Sequence, residues 1–296
     1  MSDLSALAEI ASRELADAPA QEILRWAGER FGDDLVVAAS MQDTVLVHLA
    51  SKAVPGIQVV FLDTGYHFAE TIATRDRVAR EYDVRLIDAK PRQTVAEQDA
   101  EYGPRLHDSD PDLCCALRKT HPLDEALDGK AAWATGLRRA ESPSRAGTPV
   151  VSYDDRRELL KLAPLAAWTD ADVERYVAEH DVIMNPLLSQ GFPSIGCAPC
   201  TRKVLAGEDA RAGRWADAER RFGDLPRQGP TAVLAPLLTA WAQAGAGRTD
   251  AALATLQLGH ASASTTEAAY INRAGDVDNS AIIEAFAADA LAIFGG

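Results

Sequence analysis

A chain of 296 residues, 47% hydrophobic and 25% charged, can bury a large core and has room for one α/β domain of about 200 residues plus an appendage. Its 30 basic and 44 acidic residues leave a formal net charge of -14. That balance excludes a general nucleic-acid binder, because such proteins use a positive surface to release counterions from phosphates, so any anionic ligand must be held by a local basic cluster. The run from Met1 to Pro19 is acidic and amphipathic rather than basic and then apolar. No secretory or membrane segment is expected, and the protein is expected in the cytoplasm with reduced thiols.

In chain order, Leu35 to Ala39, Val59 to Leu62 and Val84 to Ile87 are short runs rich in β-branched residues. Helical stretches separate them, from about Asp43 to Lys52 and from about Phe68 to Tyr82. Ala131 to Thr135 reads as a further strand, and Thr169-Asp-Ala-Asp172 as a capping box that opens a helix over Val173 to His180. Alternating strands and helices predict an α/β fold with a parallel sheet and flanking helices, whose ligand site lies at the carboxyl ends of the strands. Two polar loops fall there: Ser40-Met-Gln-Asp43 after the first strand and Asp63-Thr-Gly-Tyr66 after the second. Small and hydroxyl residues at such turns let backbone N–H groups approach a phosphate or an adenine edge.

All four cysteines fall in two tight pairs, Cys114-Cys115 and Cys197-x-x-Cys200. Disulfides between sequence neighbours would staple almost nothing, whereas four thiols in two clusters form a complete ligand set for one metal centre. Basic residues gather after the same strands and beside both thiol pairs: Arg118-Lys119, Arg138-Arg139, Arg145, Arg202-Lys203, Arg211 and Arg214. Guanidinium forks suit the oxygens of a tetrahedral anion, and the set is expected to form an anion pocket.

These motifs resemble the assimilatory sulfonucleotide reductase family, and most closely its iron-sulfur adenylyl-sulfate (APS) reductases. The matching text is Ser40-Met-Gln-Asp43, Leu62-Asp-Thr-Gly-Tyr-His67, Cys114-Cys115-x-x-Arg118-Lys119, Trp133-Ala-Thr-Gly136-x-Arg138-Arg139, Asn185-Pro186, Ile195-Gly-Cys-x-Pro-Cys-Thr201 and Gly213-Arg-Trp215. It runs from about residue 20 to 216. The resemblance implies an adenine-nucleotide alpha-hydrolase-like fold and one [4Fe-4S] cluster held by Cys114, Cys115, Cys197 and Cys200. A structural zinc site with four thiolates fits the same count but suits an adjacent cysteine pair less well. The resemblance further implies that Lys119 lies beside the cluster toward the sulfate, that Arg145, Arg211 and Arg214 hold the phosphosulfate, and that Ser40, Leu62 and Gly136 border the adenosine. Adenylyl sulfate and thioredoxin are the partners it implies.

The family's nucleophile is a cysteine in a Glu-Cys-Gly-Leu-His motif near the C-terminus, but no residue after Cys200 is a cysteine in this chain. Ser262 and Ser264 stand near His260, yet a hydroxyl replaces a soft sulfur nucleophile poorly. Residues 1–216 therefore read as a reductase-like nucleotide-binding domain and 217–296 as an atypical helical tail. Within the tail, Leu234 to Gln257 is an alanine-rich pattern similar to part of a tetratricopeptide-type repeat. Leu258-Gly-His260 to Tyr270 resembles the last active-site box of tyrosine recombinases, with the tyrosine one residue late, so DNA strand transfer is not expected.

Two other functions fit the residues. One is an APS-binding iron-sulfur protein without turnover, whose tail serves a partner. The other is an ATP-dependent activating enzyme of the same fold, against which the Ser40-Met-Gln-Asp43 loop lacks the glycines of a pyrophosphate loop.

Overall fold

A computed structural model describes residues 3–141, 145–205, 207–208 and 210–214. Two compact units divide the chain, one made of Met1–Gln190 with Ile195–Pro199, the other of Gly191–Ser194 with the residues from Cys200 on. The expected boundary at 216/217, the helical tail, and the tail's Ser262, Ser264, His260 and Tyr270 all lie outside the described residues.

The larger unit opens with helices α1 (Asp3–Glu14) and α2 (Ala20–Phe31). A βα alternation follows: β1 (Leu35–Ala39), α3 (Val45–Ala53), β2 (Ile57–Leu62), α4 (Ala69–Glu81) and β3 (Val84–Ala89). Short helices α5 (Val95–Tyr102), α6 (Leu106–Ser109) and α7 (Pro111–Cys115) then lead into a π-helical turn, Ala116–Thr120, that continues as α8 (His121–Leu127). Strands β4 (Ala132–Thr135), β5 (Val151–Asp154) and β6 (Leu159–Leu162) and helix α9 (Asp170–His180) complete it.

The strands form one sheet in the order β3-β2-β1-β4-β6-β5, parallel except for the edge pairing of β5 with β6. The central strands β1 and β4 are apolar on both faces because both are covered, whereas edge strand β3 leaves Arg85, Ile87 and Asp88 exposed. Val36, Val60, Trp133 and Leu159 pack on one side with Leu123 and Ala126 of α8. Their sequence neighbours Leu35, Val37, Val59, Phe61, Ala134 and Leu160 face the larger core with residues of α1, α2 and α3. The chain runs outward from β1 to β2 and β3, then returns to place β4 on the other side of β1. The switch point is therefore the gap between the carboxyl ends of β1 and β4, where an open α/β sheet binds its ligand.

The strand and helix expectations hold to within one or two residues, except that α9 begins three residues before Val173, and the Thr169 capping box is formed, its hydroxyl accepting from the Asp172 N–H. The β5–β6 hairpin was not anticipated. Its four-residue turn has no Asn-Gly or Gly-Gly signal; Asp154 holds it by accepting from the backbone N–H of Arg157 and from that residue's guanidinium, while Glu158 takes φ 56°.

α3 and α9 meet through a ring cluster. His48 Nδ1 lies 2.9 Å from the Tyr176 hydroxyl, with the rings of Tyr82 and His180 at 5.2 and 5.7 Å. Burial first, then the charges of Lys52 and His180, hold His48 below its usual value of 6.5. A histidine kept neutral in the fold stabilises fully above its unfolded pKa, and that contribution is lost as pH falls from there toward the folded value. Urea stability should therefore rise from about pH 5 to about pH 7, and His48→Phe should flatten that slope. Equal slopes in parent and variant would show that His48 is not responsible.

Candidate functional site

The loops that follow β1, β2 and β4 crowd the switch point. After β1, Ser40 is exposed and Met41 is fully buried in a left-handed conformation, φ 58°. A non-glycine residue held at positive φ costs of order 1 kcal/mol and persists only where its surroundings over-determine it. Here Asn185, itself buried, supplies the determination: its Nδ2 donates to the Met41 carbonyl (3.1 Å) and to Thr71 Oγ1 (3.0 Å), and its Oδ1 accepts from the Leu187 N–H. Gln42 Oε1 accepts from the N–H of Ile195 at 2.9 Å, so the same loop holds the segment that leads into Cys197. Asp43 accepts from the Val45 N–H. Burial pushes its carboxyl up, against the pull of the Val45 N–H and of Arg138.

After β2, which ends at Leu62, the loop reaches the thiols. Thr64 Oγ1 lies 3.3 Å from Cys197 Sγ, and the Tyr66 carbonyl accepts from the Ala198 N–H at 2.7 Å. The Thr64 carbonyl accepts from Nε of Arg118 at 2.6 Å. Arg118 is only 3% exposed, donates from Nη1 to Gln98 Oε1 (2.8 Å), and lies 5.0 Å from the centre of the Tyr66 ring. This side chain leaves the π-helical turn directly after Cys114 and Cys115, so it binds the cysteine-bearing helix to the β2 loop.

Cys114 and Cys197 are buried, Cys115 is exposed, and Cys200 ends a 3₁₀ turn begun at Ala198. Burial, then the neighbouring Cys115 and Cys197, push the Cys114 thiol up to about 11, while Arg118 and Lys119 pull it down. Lys119 Nζ stands 3.8 Å from Cys115 Sγ. Thiols from two distant sequence positions thus lie close enough to oppose the ionisation of Cys114, and a bound cation would relieve that opposition. The donor chemistry fits a thiolate-held metal centre, although among the described residues no group of three or more His, Cys, Asp or Glu is arranged around a common ion position.

Several basic residues of the expected anion pocket have partners within the fold. Arg118 is a buried strut, Arg138 reaches Asp170 at 2.6 Å, Arg139 donates to the Thr148 carbonyl at 2.8 Å, and Arg202 makes a two-pronged pair with Glu208 at 2.7 and 2.9 Å. Arg145 is paired with Glu141. A chain rich in acidic residues supplies partners for its own guanidinium groups, and position after a strand does not reveal them. Gly136 is exposed directly after β4. In the smaller unit, Arg211 and Arg214 are half-buried in one turn, the Arg214 N–H donating to the Arg211 carbonyl. Thr64 and Asn185 stood in the matched motifs without an assigned role; their roles depend on partners more than 100 residues away.

The family model described as the phosphoadenosine phosphosulfate reductase domain matches residues 34–203. The chain belongs to this family. Relatives in the phosphoadenosine phosphosulfate reductase family include the adenosine 5'-phosphosulfate reductase of Streptomyces coelicolor, 65% identical over 72% of this chain and 91% of its own length. The enzyme of the same name from Mycolicibacterium smegmatis is 54% identical, again over 72% of this chain and 91% of its own. A phosphoadenylyl-sulfate reductase from Candida auris, solved as a phosphate complex, superposes with a TM-score of 0.59 at 27% identity, over 68% of this chain and 99% of that one.

The Met41 conformation supplies a test. Asn185→Leu keeps the branching of the side chain but strips the Met41 carbonyl and Thr71 hydroxyl of their donor, and should cost about 1–3 kcal/mol in denaturant unfolding. A change within a few tenths of a kcal/mol would mean that the loop holds its shape without Asn185.

Proposed function

We propose that the chain reduces adenylyl sulfate to sulfite and AMP in sulfate assimilation, using thiols that come from outside the 296 residues. The observation that carries this reading is the shared field of Cys114, Cys115 and Cys197 beside Lys119, next to the loops that ring the switch point. Its 65% identity to an adenosine 5'-phosphosulfate reductase supports it.

In this reading the adenosine lies across the carboxyl ends of β1, β2 and β4, bordered by Ser40, Leu62 and Gly136. Lys119 faces the sulfate, where an ammonium favours the sulfonyl oxygens as negative charge moves through them. Arg145 would exchange Glu141 for the phosphosulfate, and Arg211 and Arg214 would add their forks. Cys114, Cys115, Cys197 and Cys200 would hold one [4Fe-4S] cluster, which when bound supplies an electrostatic influence on the substrate side of the site. Residues 1–216 form the catalytic domain of this proposal and 217–296 its helical tail.

The reaction itself needs a thiolate. A thiolate of thioredoxin attacks the sulfur of APS; an S–S bond forms as the bond from sulfur to the bridging phosphate oxygen breaks, and AMP leaves with that electron pair. The second thiol of thioredoxin then attacks the first sulfur, leaving a disulfide and releasing sulfite. No residue after Cys200 is a cysteine. That same fact favours one second reading, an APS-binding iron-sulfur protein without turnover that acts as an interaction module.

Sulfite release from APS separates the two. With reduced thioredoxin present, sulfite should form without any sulfonated cysteine on the chain, and Lys119→Ala should lower kcat/KM at least about tenfold. Tight APS binding with no sulfite would establish the second reading. A sulfonated cysteine formed on the chain before thioredoxin is added would overturn the outside-thiol proposal.

A further inference from the structure

The Arg145 fork assigned above to the phosphosulfate already holds a carboxylate of the chain itself. Glu141 ends the 3₁₀ turn Arg139–Glu141 that follows β4, and three donors converge on it. Its Oε2 accepts from the Arg138 N–H at 3.3 Å and pairs with Nη1 of Arg145, while its Oε1 lies 4.0 Å from Nε of Arg138. A backbone N–H and two guanidinium groups are the donors that a phosphate or sulfate oxygen would take. Glu141 also faces the loop after β1. Burial is the main reason that the Asp43 carboxyl on that loop is pushed up; the Val45 N–H and Arg138 oppose the rise, and the charge of Glu141 adds to it. The carboxylate therefore stands where the loops after β1 and β4 meet, at the switch point.

The two carboxylates around Arg138 are placed differently. Asp170, which accepts from Nη1 at 2.6 Å, has a side chain 78% exposed, whereas those of Glu141 and Arg145 are 19% and 28% exposed. When Glu141 leaves, Arg138 keeps its Asp170 pair, and the Arg139 N–H is still held by the Ala166 carbonyl at 2.9 Å. The Arg138 donors thus stay in place for an incoming anion. Like charges brought together in partly buried surroundings repel, so Glu141 and an anionic ligand cannot share these donors. An anion binds only in the fraction of molecules whose Glu141 has swung away, and its apparent affinity falls by that fraction.

We propose that Glu141 is a specificity-determining residue, an internal competitor whose carboxylate fills the anion subsite and must be displaced by the phosphosulfate. The proposal rests on the nucleotide reading given above. A ligand anchored by its adenosine offsets the displacement, because its anion is already held at high local concentration beside Arg145. A free oxyanion such as inorganic sulfate has no such anchor and is rejected. After turnover the returning carboxylate competes with the phosphate of AMP and favours its release.

Glu141→Gln keeps the shape and an accepting oxygen but removes the charge. In titration calorimetry on the full chain, AMP should bind at least about tenfold more tightly to this variant, and inorganic sulfate should compete with AMP more strongly by a similar factor. Neutral adenosine should bind both proteins equally. KM for APS should fall in step with the AMP affinity while kcat does not rise. Glu141→Asp, which keeps the charge, should stay within about threefold of the parent for AMP. A merely structural role predicts the opposite sign, because losing a support weakens AMP and adenosine alike. Should the glutamine variant not fold, Glu141→Ala carries the same test. Equal or weaker AMP binding in a folded variant, an equal gain for adenosine, or no AMP binding to either protein at millimolar nucleotide would each overturn the proposal. Binding of AMP and adenosine needs no turnover, so a failure to release sulfite bears on the proposed reaction alone.

Discussion

The Arg118 side chain is the constraint on which the arrangement of the thiols depends. It leaves the π-helical turn that follows Cys114 and Cys115, crosses into the protein, and donates at 2.6 Å to the carbonyl of Thr64. The same threonine places its hydroxyl 3.3 Å from Cys197. One buried guanidinium therefore fixes the helix carrying the first cysteine pair against the loop that touches the second. Burying a cation without a carboxylate is costly, and the hydrogen bonds of Arg118 to the Thr64 carbonyl and the Gln98 amide offset part of that cost. The π-helical turn fits this picture. Such turns interrupt the regular ladder and re-aim the side chains around them, as two adjacent cysteines would need in order to serve one centre.

The sheet supplies the other half of the site. Because β4 returns beside β1 rather than extending past β3, the loops after β1 and β4 open a crevice instead of packing on one another. The β1 loop is held by Asn185 and in turn holds Ile195, and the β2 loop accepts from Ala198. The segment bearing Cys197 is thus tied on both flanks to the loops after β1 and β2, through the Gln42 side chain at Ile195 and the Tyr66 carbonyl at Ala198. In the proposed function, a cofactor at the thiols and a nucleotide at the strand ends would share these supports.

Much of the fold was legible because it rests on local pattern. The run Leu35 to Ala39 is bounded as expected, and Thr169 with Asp172 carries its capping chemistry within four residues. The β5–β6 hairpin escaped because its turn is built from Asp154 and a strained Glu158 rather than from glycine. At the site, the cysteine pairs were visible by spacing, whereas the fate of the arginines was not. Arg118, Arg138, Arg145 and Arg202 look alike in sequence, yet each finds a different oxygen in the fold, at Thr64, Asp170, Glu141 and Glu208. Asn185 was legible only as part of a motif, because its role depends on a strained residue, Met41, far away in the chain.

The central proposal is that the tie from Arg118 to Thr64 holds Cys114 and Cys115 near Cys197, and that the four cysteines hold one iron-sulfur centre. Iron and acid-labile sulfide measured on the purified full chain test it most directly. The account predicts about four of each per chain, with a brown colour. Stoichiometric zinc with no labile sulfide, or a chain without bound metal, would contradict it.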